Sequence, residues 1–398
     1  MRHGLVVGVV IALETALLAA AAPPKRRPLD AKEREAILTL LKAVDLAQET
    51  DVLSDVGLAW SSHVLKSGDQ TAYVPFRLTI DNPELKSPAM YVRAVSRRDG
   101  LRASDEHSSL REGLLHGSGV MPRTPETVWV GLGEMPVGGA AIASSRQATA
   151  AAAAAFGALQ MRQRGFEKQM AAEEAAKMRA ETKERNPFLF PYEDYFFFDL
   201  KSAHSVERAL ALPPGEYDIY VVLIDRTRVK TSGPQVLRRT VVIPDFWSDR
   251  LMLSSLMLVR EVRQLNAPLP AAQQVERPFA FGQADIVPVA TPAFTPDDAL
   301  SIVYQICNYG APDADLRAEY NFFATTEGER RLFNRMEPQL FGDADLPPPQ
   351  PWTNQAFAMQ SVSLKSFPPG EYELEVVMRD RLTRASATGS VAFTVGVR

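Results

Sequence analysis

One short stretch occurs twice in this chain and limits its fold more than any other feature. Pro-Pro-Gly-Glu-Tyr begins residues 213–226 and again residues 368–381, and both stretches continue through Val-Val to a closing Asp-Arg without a gap. Such agreement predicts two copies of one β unit. The markers of the repeat are Pro214, Gly215, Tyr217 and Asp225 in the first copy, and Pro369, Gly370, Tyr372 and Asp380 in the second.

Each copy has the pattern of a corner followed by a long strand. Pro fixes φ and Gly permits a tight turn, so Pro-Pro-Gly predicts a corner. Beyond it, apolar residues alternate from Tyr217 to Leu223 and from Tyr372 to Met378, which indicates one buried face. We expect the opposite face, which begins with Asp218 in the first copy, to meet solvent. A corner, an aromatic residue, a long strand and a final strand resemble the end of an immunoglobulin-like sandwich.

The length of 398 residues suits two domains, and the composition, 46% hydrophobic with 29 Pro, suits a loop-rich β protein. We predict a mainly β chain with immunoglobulin-like sandwiches at 52–247 and 275–398, joined by a connecting strand and linker at 248–274. Alternating runs at 74–80 and 90–95 in the first domain correspond to runs at 300–307 and 316–323 in the second.

The N-terminus has the pattern of a secretory signal. A basic start precedes an apolar core, and residues 1–21 end in small residues that favour cleavage near Ala21. The alternative is an uncleaved membrane anchor, although Glu14 would make a poor span. We therefore expect export to the periplasm or the extracellular space, with no membrane span in the mature chain.

Residues 22–51 are predicted to form an exposed arm and a helix. Asp30 and Glu33 have the spacing of a capping box, which marks the start of a helix. The apolar residues that follow lie on one face, which we expect to pack on the first sandwich. They are Ile37, Leu40, Leu41 and Val44.

The first domain is longer than the second because of an Ala-rich insertion at about 140–185. Ala favours helix, so we predict one or two helices there, ending before Pro187. Two interpretations remain open: a solvated arm that packs lightly on the sandwich, or an arm that binds a protein partner or a second copy. The narrow apolar stripe of the arm is Phe156, Leu159, Phe166 and Met170.

Residues 188–198 contain seven aromatic side chains. Core filling is the ordinary role of such a run, whereas exposed rings would suit sugar binding or protein contact. Tyr192 and Tyr195 complete the candidate interaction surface on the second interpretation.

The sequence contains no motif that predicts catalysis, and we expect no metal ion and no cofactor. The net charge of −4 gives no reason to expect nucleic acid as a partner. Asp-Ala-Asp-Leu occurs at 313–316 and 343–346 and is interpreted as turns, as are Asp225 and Asp380. Cys307, the single cysteine, lies in an apolar run, which predicts a buried thiol.

The region 210–309 resembles the tail regions of exported bacterial proteins related to von Willebrand factor A. The shared pattern comprises the first copy of the repeat, Val-Ile-Pro-Asp-Phe at 242–246, Leu-Met-Leu-Ser-Ser-Leu at 251–256 and Phe-Thr-Pro at 294–296. The metal-adhesion motif of the A domain is absent, so its metal site and adhesive activity do not carry over. The resemblance implies an exported tandem immunoglobulin-like protein.

These features predict a non-enzymatic bacterial protein that acts through protein–protein contacts in the cell envelope. The partner would be another protein, or a second copy that associates through the helical insertion. A carbohydrate-binding accessory module that uses the aromatic run is the alternative, and a hydrolase without a recognisable motif is a third hypothesis.

Overall fold

The structure is a computed structural model, and it shows a mainly β protein. It describes residues 29–50, 55, 57–67, 71–97, 192–200, 204–310, 315–326, 328–342, 345–346 and 354–397. The predicted signal at 1–21 and the predicted helical insertion at 140–185 lie outside these ranges. Neither described helix is long and apolar enough to cross a lipid bilayer.

Two helices and twenty strands are described. The helices are α1 Ala31–Thr50 and α2 Ala271–Gln274. The first ten strands are β1 Leu58–Ser62, β2 Leu65–Lys66, β3 Ala72–Ile80, β4 Pro88–Ser96, β5 Tyr192–Phe197, β6 Ser205–Leu212, β7 Gly215–Asp225, β8 Gln235–Ile243, β9 Met252–Leu253 and β10 Met257–Gln264. The others are β11 Ala280–Phe281, β12 Ala284–Pro288, β13 Ala293–Phe294, β14 Ala299–Cys307, β15 Leu316–Thr326, β16 Glu329–Arg335, β17 Gln339–Phe341, β18 Gln355–Ser363, β19 Gly370–Asp380 and β20 Ser386–Val395.

The N-terminal sheet pair consists of sheets A and B. Sheet A has the order β5-β4-β7-β8, and in sheet B the strand β3 lies between β6 on one side and β1 and β2 on the other. All these pairings are antiparallel. Alternate side chains of both sheets, such as Phe76 of β3 and Val221 of β7, meet in one apolar core.

The C-terminal sheet pair consists of sheets C and D, which enclose a second apolar core. Sheet C has the order β11-β12-β10-β14-β18, with β9 beside β14, and sheet D has the order β13-β20-β19-β15-β16, with β17 beside β15. Strands β9 and β10 lie within 248–274, which the sequence analysis treats as a connecting strand and linker. Much of that region therefore belongs to sheet C.

The repeat found in the sequence produces equivalent strands. β7 runs from Gly215 to Asp225 and β19 from Gly370 to Asp380, so each begins at the glycine and ends at the aspartate of its copy. Their neighbours also correspond, because β5-β4-β7-β8 in sheet A has the same order as β16-β15-β19-β20 in sheet D. The predicted strands at 74–80, 90–95, 300–307 and 316–323 are confirmed within β3, β4, β14 and β15.

Helix α1 begins at the predicted capping box. The Glu33 amide donates to Asp30 Oδ1 at 2.8 Å, and the Asp30 amide donates to Glu33 Oε2 at 3.1 Å. The predicted apolar stripe is fully buried against the outer face of sheet A. The helix therefore packs on the first sheet pair, as expected.

This packing corrects the expectation that the second face of β7 meets solvent. Tyr220, Val222 and Ile224 lie on that face and are buried beneath α1, and Asp218 is also buried. The expectation was wrong because this face of β7 is apolar beyond Asp218, and a helix from elsewhere in the chain covers it. In β19 the equivalent face keeps Glu373 and Glu375 partly exposed and Arg379 exposed.

The two sheet pairs meet through a fourth apolar cluster. Leu65, Tyr73 and Ala211 of sheet B pack against Met257 and Val303 of sheet C, together with further buried side chains. The Tyr73 hydroxyl also donates to the Pro278 carbonyl at 2.8 Å. The layers therefore follow the order α1, A, B, C, D, with an apolar cluster between each layer and the next.

Candidate functional site

The repeat markers hold corners and turns. The Tyr372 hydroxyl donates to the Pro368 carbonyl at 2.7 Å, so the ring folds back over the corner. In the first copy the ring of Tyr217 lies over Gly215, whose φ of +152° favours glycine. These residues support the ends of the long strands.

The two matched aspartates also stabilise turns, as predicted. Asp225 accepts the amides of Lys86 at 2.7 Å and Thr227 at 2.8 Å, which ties the end of β7 to the segment before β4. Burial opposes the charge on Asp225, but these hydrogen bonds outweigh it, and the pKa lies below its ordinary value. Asp380 accepts the amides of Leu382 and Thr383 in its own turn.

The described part of each Asp-Ala-Asp-Leu segment has a local structural role. Asp315 forms an ion pair with Arg381 at 3.2 Å, and Asp345 accepts the Gly342 amide at 3.0 Å. The interpretation as turns agrees with these contacts. Within the described ranges, no three His, Cys, Asp or Glu side chains are grouped so that they could hold a metal ion.

The candidate interaction surface is corrected at its two tyrosines. Tyr192 and Tyr195 are 1% and 4% exposed, because Tyr192 packs in the core between sheets A and B and Tyr195 packs against α1. Phe196 is buried as well. The four other members, Phe156, Leu159, Phe166 and Met170, lie outside the described residues. Phe197 and Phe198 are partly buried and pack against the same clusters, so the described part of the aromatic run belongs mainly to the core.

A buried ionic cluster lies between α1 and sheet A, and the sequence analysis did not predict it. The Arg93 guanidinium lies 3.2 Å from Glu193 Oε1 and 2.9 Å from Asp45 Oδ1 of α1, and its Nε donates to the Tyr91 hydroxyl at 2.8 Å. Tyr91 in turn donates to Glu193. Arg93 and Glu193 are 1% and 0% exposed, so a charge pair lies beneath the helix.

The electrostatics of this cluster keep its charges paired. Burial opposes the charge of Arg93, but nearby Tyr91, Glu193 and Asp45 outweigh that effect and raise its pKa above the ordinary value. Burial also raises the pKa of Tyr91 well above its usual range, so its hydroxyl stays protonated and donates. This arrangement orients α1 on the sheet. The signal in the sequence was a single Arg in the apolar run of β4, which predicts a buried partner for its charge.

A second polar cluster crosses from sheet B to sheet C. The Lys66 amide donates to Gln305 Oε1 at 2.7 Å, and Lys66 Nζ donates to Asn308 Oδ1 at 2.6 Å. Beside them, Val64 and Ser255 exchange hydrogen bonds of 2.8 and 3.1 Å. These bonds fix the register of the two sheet pairs.

Cys307 lies next to this cluster. It is fully buried and packs with the core of the N-terminal sheet pair, although its own strand, β14, belongs to sheet C. Burial raises the pKa of its thiol to about 12, so the thiolate that reacts or binds metals is not formed near neutral pH. The prediction of a buried structural cysteine is confirmed.

An open groove of about 580 Å³ lies between the start of α1 and the loop after β7. Its lining includes acidic Asp30, Glu33 and Glu35 and basic Arg226 and Lys230. Asp30 and Glu33 bind each other's amides in the capping box, so these two acids stabilise the helix start. The groove gives no support to a pair of catalytic carboxylates.

Comparison with known proteins leaves the family open. No protein-family model and no curated protein matches the chain. Among solved structures, a red sea bream transglutaminase matches 90% of this chain with 6% identity and a TM-score of 0.20. The native conformation of E. coli alpha-2-macroglobulin matches 85% of it with 10% identity and a TM-score of 0.21. The chain spans 34% and 16% of these two proteins.

Proposed function

We propose that this chain is a non-enzymatic, exported bacterial protein that acts through protein–protein contacts in the cell envelope. Two immunoglobulin-like sandwiches form its scaffold, and the segment 98–191 presents the contact surface. Export rests on the signal pattern of residues 1–21, and the resemblance to tails of proteins related to von Willebrand factor A supports the same setting.

The strand order supports the immunoglobulin-like assignment. The repeated strand lies beside its hairpin partner in one sheet of each pair, as β7-β8 in sheet A and β19-β20 in sheet D. The facing sheet, B or C, has a central strand, β3 or β14, with neighbours on both sides. Sheets that share one core in this way and are antiparallel, here apart from the short parallel pairing of β13 with β20, are typical of immunoglobulin-like folds. The hydrogen bond from Tyr372 to the nearby Pro368 carbonyl also resembles a tyrosine corner.

The observation that carries the proposed function is where segment 98–191 is attached. It leaves sheet A after β4 and returns at β5, and these strands pair antiparallel with Ala94 opposite Tyr192. In sheet D the equivalent strands, β15 and β16, are joined by residues 327 and 328 alone. Since a two-residue connection can close this hairpin, segment 98–191 is an addition to the scaffold, and additions at a hairpin commonly carry function.

The test replaces residues 98–191 with Glu-Gly, the two residues that join β15 and β16. We expect the shortened protein to unfold at the temperature of the full chain, since the described sheets do not need the segment. Light scattering then gives the mass of both proteins in solution. An oligomeric full chain and a monomeric shortened chain would support contact through the segment.

Two outcomes would count against the proposal. A shortened chain that does not fold would show that the segment is part of the scaffold. If both proteins are folded monomers, contact between copies is excluded, and the segment must then bind a different envelope protein. Cross-linking in cells that express the full or the shortened chain tests that case, and equal cross-linking patterns would contradict the proposal.

A further inference from the structure

The edge of sheet D is the most exposed strand edge in the described chain. All seven residues of β16 are exposed, and the described strand that it pairs with is β15 alone. Leu332 is 48% exposed and Phe333 38%, and Leu340 of β17, on the same edge, is 59% exposed. An edge with free backbone groups and exposed apolar side chains can accept another strand.

Three of the four charged residues of β16 are arginines. Arg330 lies over the Phe323 ring at 3.4 Å and forms ion pairs with Glu373 at 2.8 Å and Glu375 at 3.0 Å, so it stabilises sheet D itself. Arg331 pairs with Glu329, and both side chains are more than half exposed, so that pair is weak and easily exchanged. Arg335 is exposed as well. The edge therefore offers cations to an incoming strand.

A second copy of β16 is a poor occupant. Antiparallel self-pairing centred on Arg331 would place that arginine opposite its own copy, and like charges directly opposite are destabilising. Pairing centred on Leu332 would bring Glu329 toward Arg335, but the bulge at Phe333 puts these side chains on opposite faces of the sheet. The β16 edge therefore disfavours pairing with a second copy of itself, whereas its positive charge complements an acidic strand.

We propose that the β16 edge binds an extended acidic segment of another protein. The segment would add a strand along Glu329–Arg335, with a carboxylate beside Arg331 on one face of the sheet and, on the opposite face, an apolar side chain on Leu332 and a carboxylate beside Arg335. This inference depends on the proposed role in protein–protein contact and adds to it a second surface and the chemistry of the partner. Backbone hydrogen bonds would supply affinity, and the arginines would supply selectivity.

The test uses a fluorescent peptide of alternating Glu and Val as the probe and a Lys-Val peptide for comparison. Fluorescence anisotropy with the full chain measures both affinities at low and at high salt. We expect the acidic peptide to bind more tightly by about tenfold or more, with the difference reduced by salt. Equal affinity for the two peptides would overturn the proposal.

Matched variants locate the binding. Arg331→Glu combined with Arg335→Glu should lower the affinity for the acidic peptide at least about tenfold. Arg263→Glu is the control, because Arg263 pairs with Glu261 in the same spacing but lies on β10 of sheet C, away from the β16 edge. Leu332→Asp should also weaken binding, whereas Leu382→Asp, at a residue that is 62% exposed elsewhere, should not. Equal losses in variants and controls would contradict the site.

Two further readouts separate this inference from the proposed function. Amide hydrogen exchange should slow in residues 329–335 when the acidic peptide binds, and protection elsewhere alone would overturn the site. The chain shortened at 98–191 should bind the peptide as the full chain does. If the shortened chain does not bind the peptide, the contact lies in segment 98–191 and not at the β16 edge. If it binds the peptide and both chains give the same cross-linking pattern in cells, the β16 edge is the contact surface and segment 98–191 is not.

Discussion

The two sheet pairs share a strand order but differ in what covers their repeated strand. In sheet A, the face of β7 with Tyr220, Val222 and Ile224 is buried under α1. In sheet D, the same face of β19 carries Glu373 and Glu375, which are partly exposed, and Arg379, which is exposed. The same strand order therefore forms an inner layer in sheet A and an outer layer in sheet D. The residues on one face of the repeated strand determine this difference.

The difference extends to the ion pairs. Arg93 and Glu193 are enclosed beneath a helix, whereas Arg330 spans Glu373 and Glu375 with 42% of its side chain exposed. A buried charge that loses its partner stays in a medium of low polarity, while an exposed one regains water. Loss of an arginine from such a cluster should therefore lower the stability of the protein more in the N-terminal sheet pair than in the C-terminal one.

Removal of the two arginines gives the largest expected contrast. We expect Arg93→Ala to lower the free energy of unfolding by about 3–5 kcal/mol, because Glu193 would remain buried without its cation. Arg330→Ala should cost no more than about 1 kcal/mol, since Arg330 is exposed and its partners are partly exposed. Urea denaturation followed by circular dichroism measures both. Equal losses would show that the two clusters are equivalent and that the comparison fails.

The helix that covers sheet A provides the next contrast. Leu41 is fully buried and Leu46 is 57% exposed, although both lie on α1. Leu41→Ala should destabilise the protein by about 3 kcal/mol, through lost burial and a cavity, while Leu46→Ala should change stability by less than about 0.5 kcal/mol. Thermal unfolding of the two variants is the measurement. A small effect of Leu41→Ala would mean that α1 packs only loosely.

The matched aspartates sharpen the comparison at the strand ends. Asp225 joins two strands, whereas Asp380 holds only its own turn, so we expect Asp225→Ala to cost about 2 kcal/mol and Asp380→Ala about 1 kcal/mol. The lowered pKa of Asp225 adds a dependence on pH. Its stabilising effect is present above the ordinary pKa of 3.8 and is lost as the pH falls through the lower folded value. Denaturation between pH 5 and 2 (in about half-unit steps) tests this, and Asp225→Asn should remove the dependence.

The last prediction concerns His63, where the sheet pairs meet. Burial and nearby Arg77 lower its pKa from 6.5 to about 4, and its ring lies 6.1 Å from that of Phe279. Since the unfolded chain binds the proton first, stability should fall as the pH drops from 6.5 to about 4. Because the side chain is only partly buried, we expect a loss of about 1–2 kcal/mol.

The control for His63 compares two variants. His63→Gln should remove the loss of stability over that pH range, whereas His204→Gln, at an exposed residue, should leave it unchanged. Denaturant titrations at several pH values give the comparison. If the wild type and His63→Gln show the same pH profile, the junction does not depend on this histidine.

The local part of the fold could be predicted from the sequence. The repeat located β7 and β19, and the capping box and apolar stripe located α1, because these signals lie within a few residues of one another. The covering of the second face of β7, whose Tyr220, Val222 and Ile224 are apolar, could not be assigned in this way. It depends on a helix that lies far away in the chain.

The same limit applies to the polar clusters. Arg93 pairs with Glu193 across segment 98–191, and Lys66 reaches Gln305 of the other sheet pair. No rule of sequence spacing predicts these pairs, because the residues are far apart in the chain and only strand pairing and sheet packing bring them together. For the aromatic run, the composition alone allowed either a core or a surface position. The packing of Tyr192 and Tyr195 shows that these side chains lie in the core.

The layered order of α1 and the four sheets has a consequence for reach. Packed layers are spaced by roughly 10 Å, so α1 and sheet D lie roughly 40 Å apart across fixed, apolar interfaces. Segment 98–191 is attached at sheet A, and the β16 edge belongs to sheet D. The packed interfaces between the layers therefore hold the attachment point of that segment and the β16 edge about three layer spacings, or roughly 30 Å, apart.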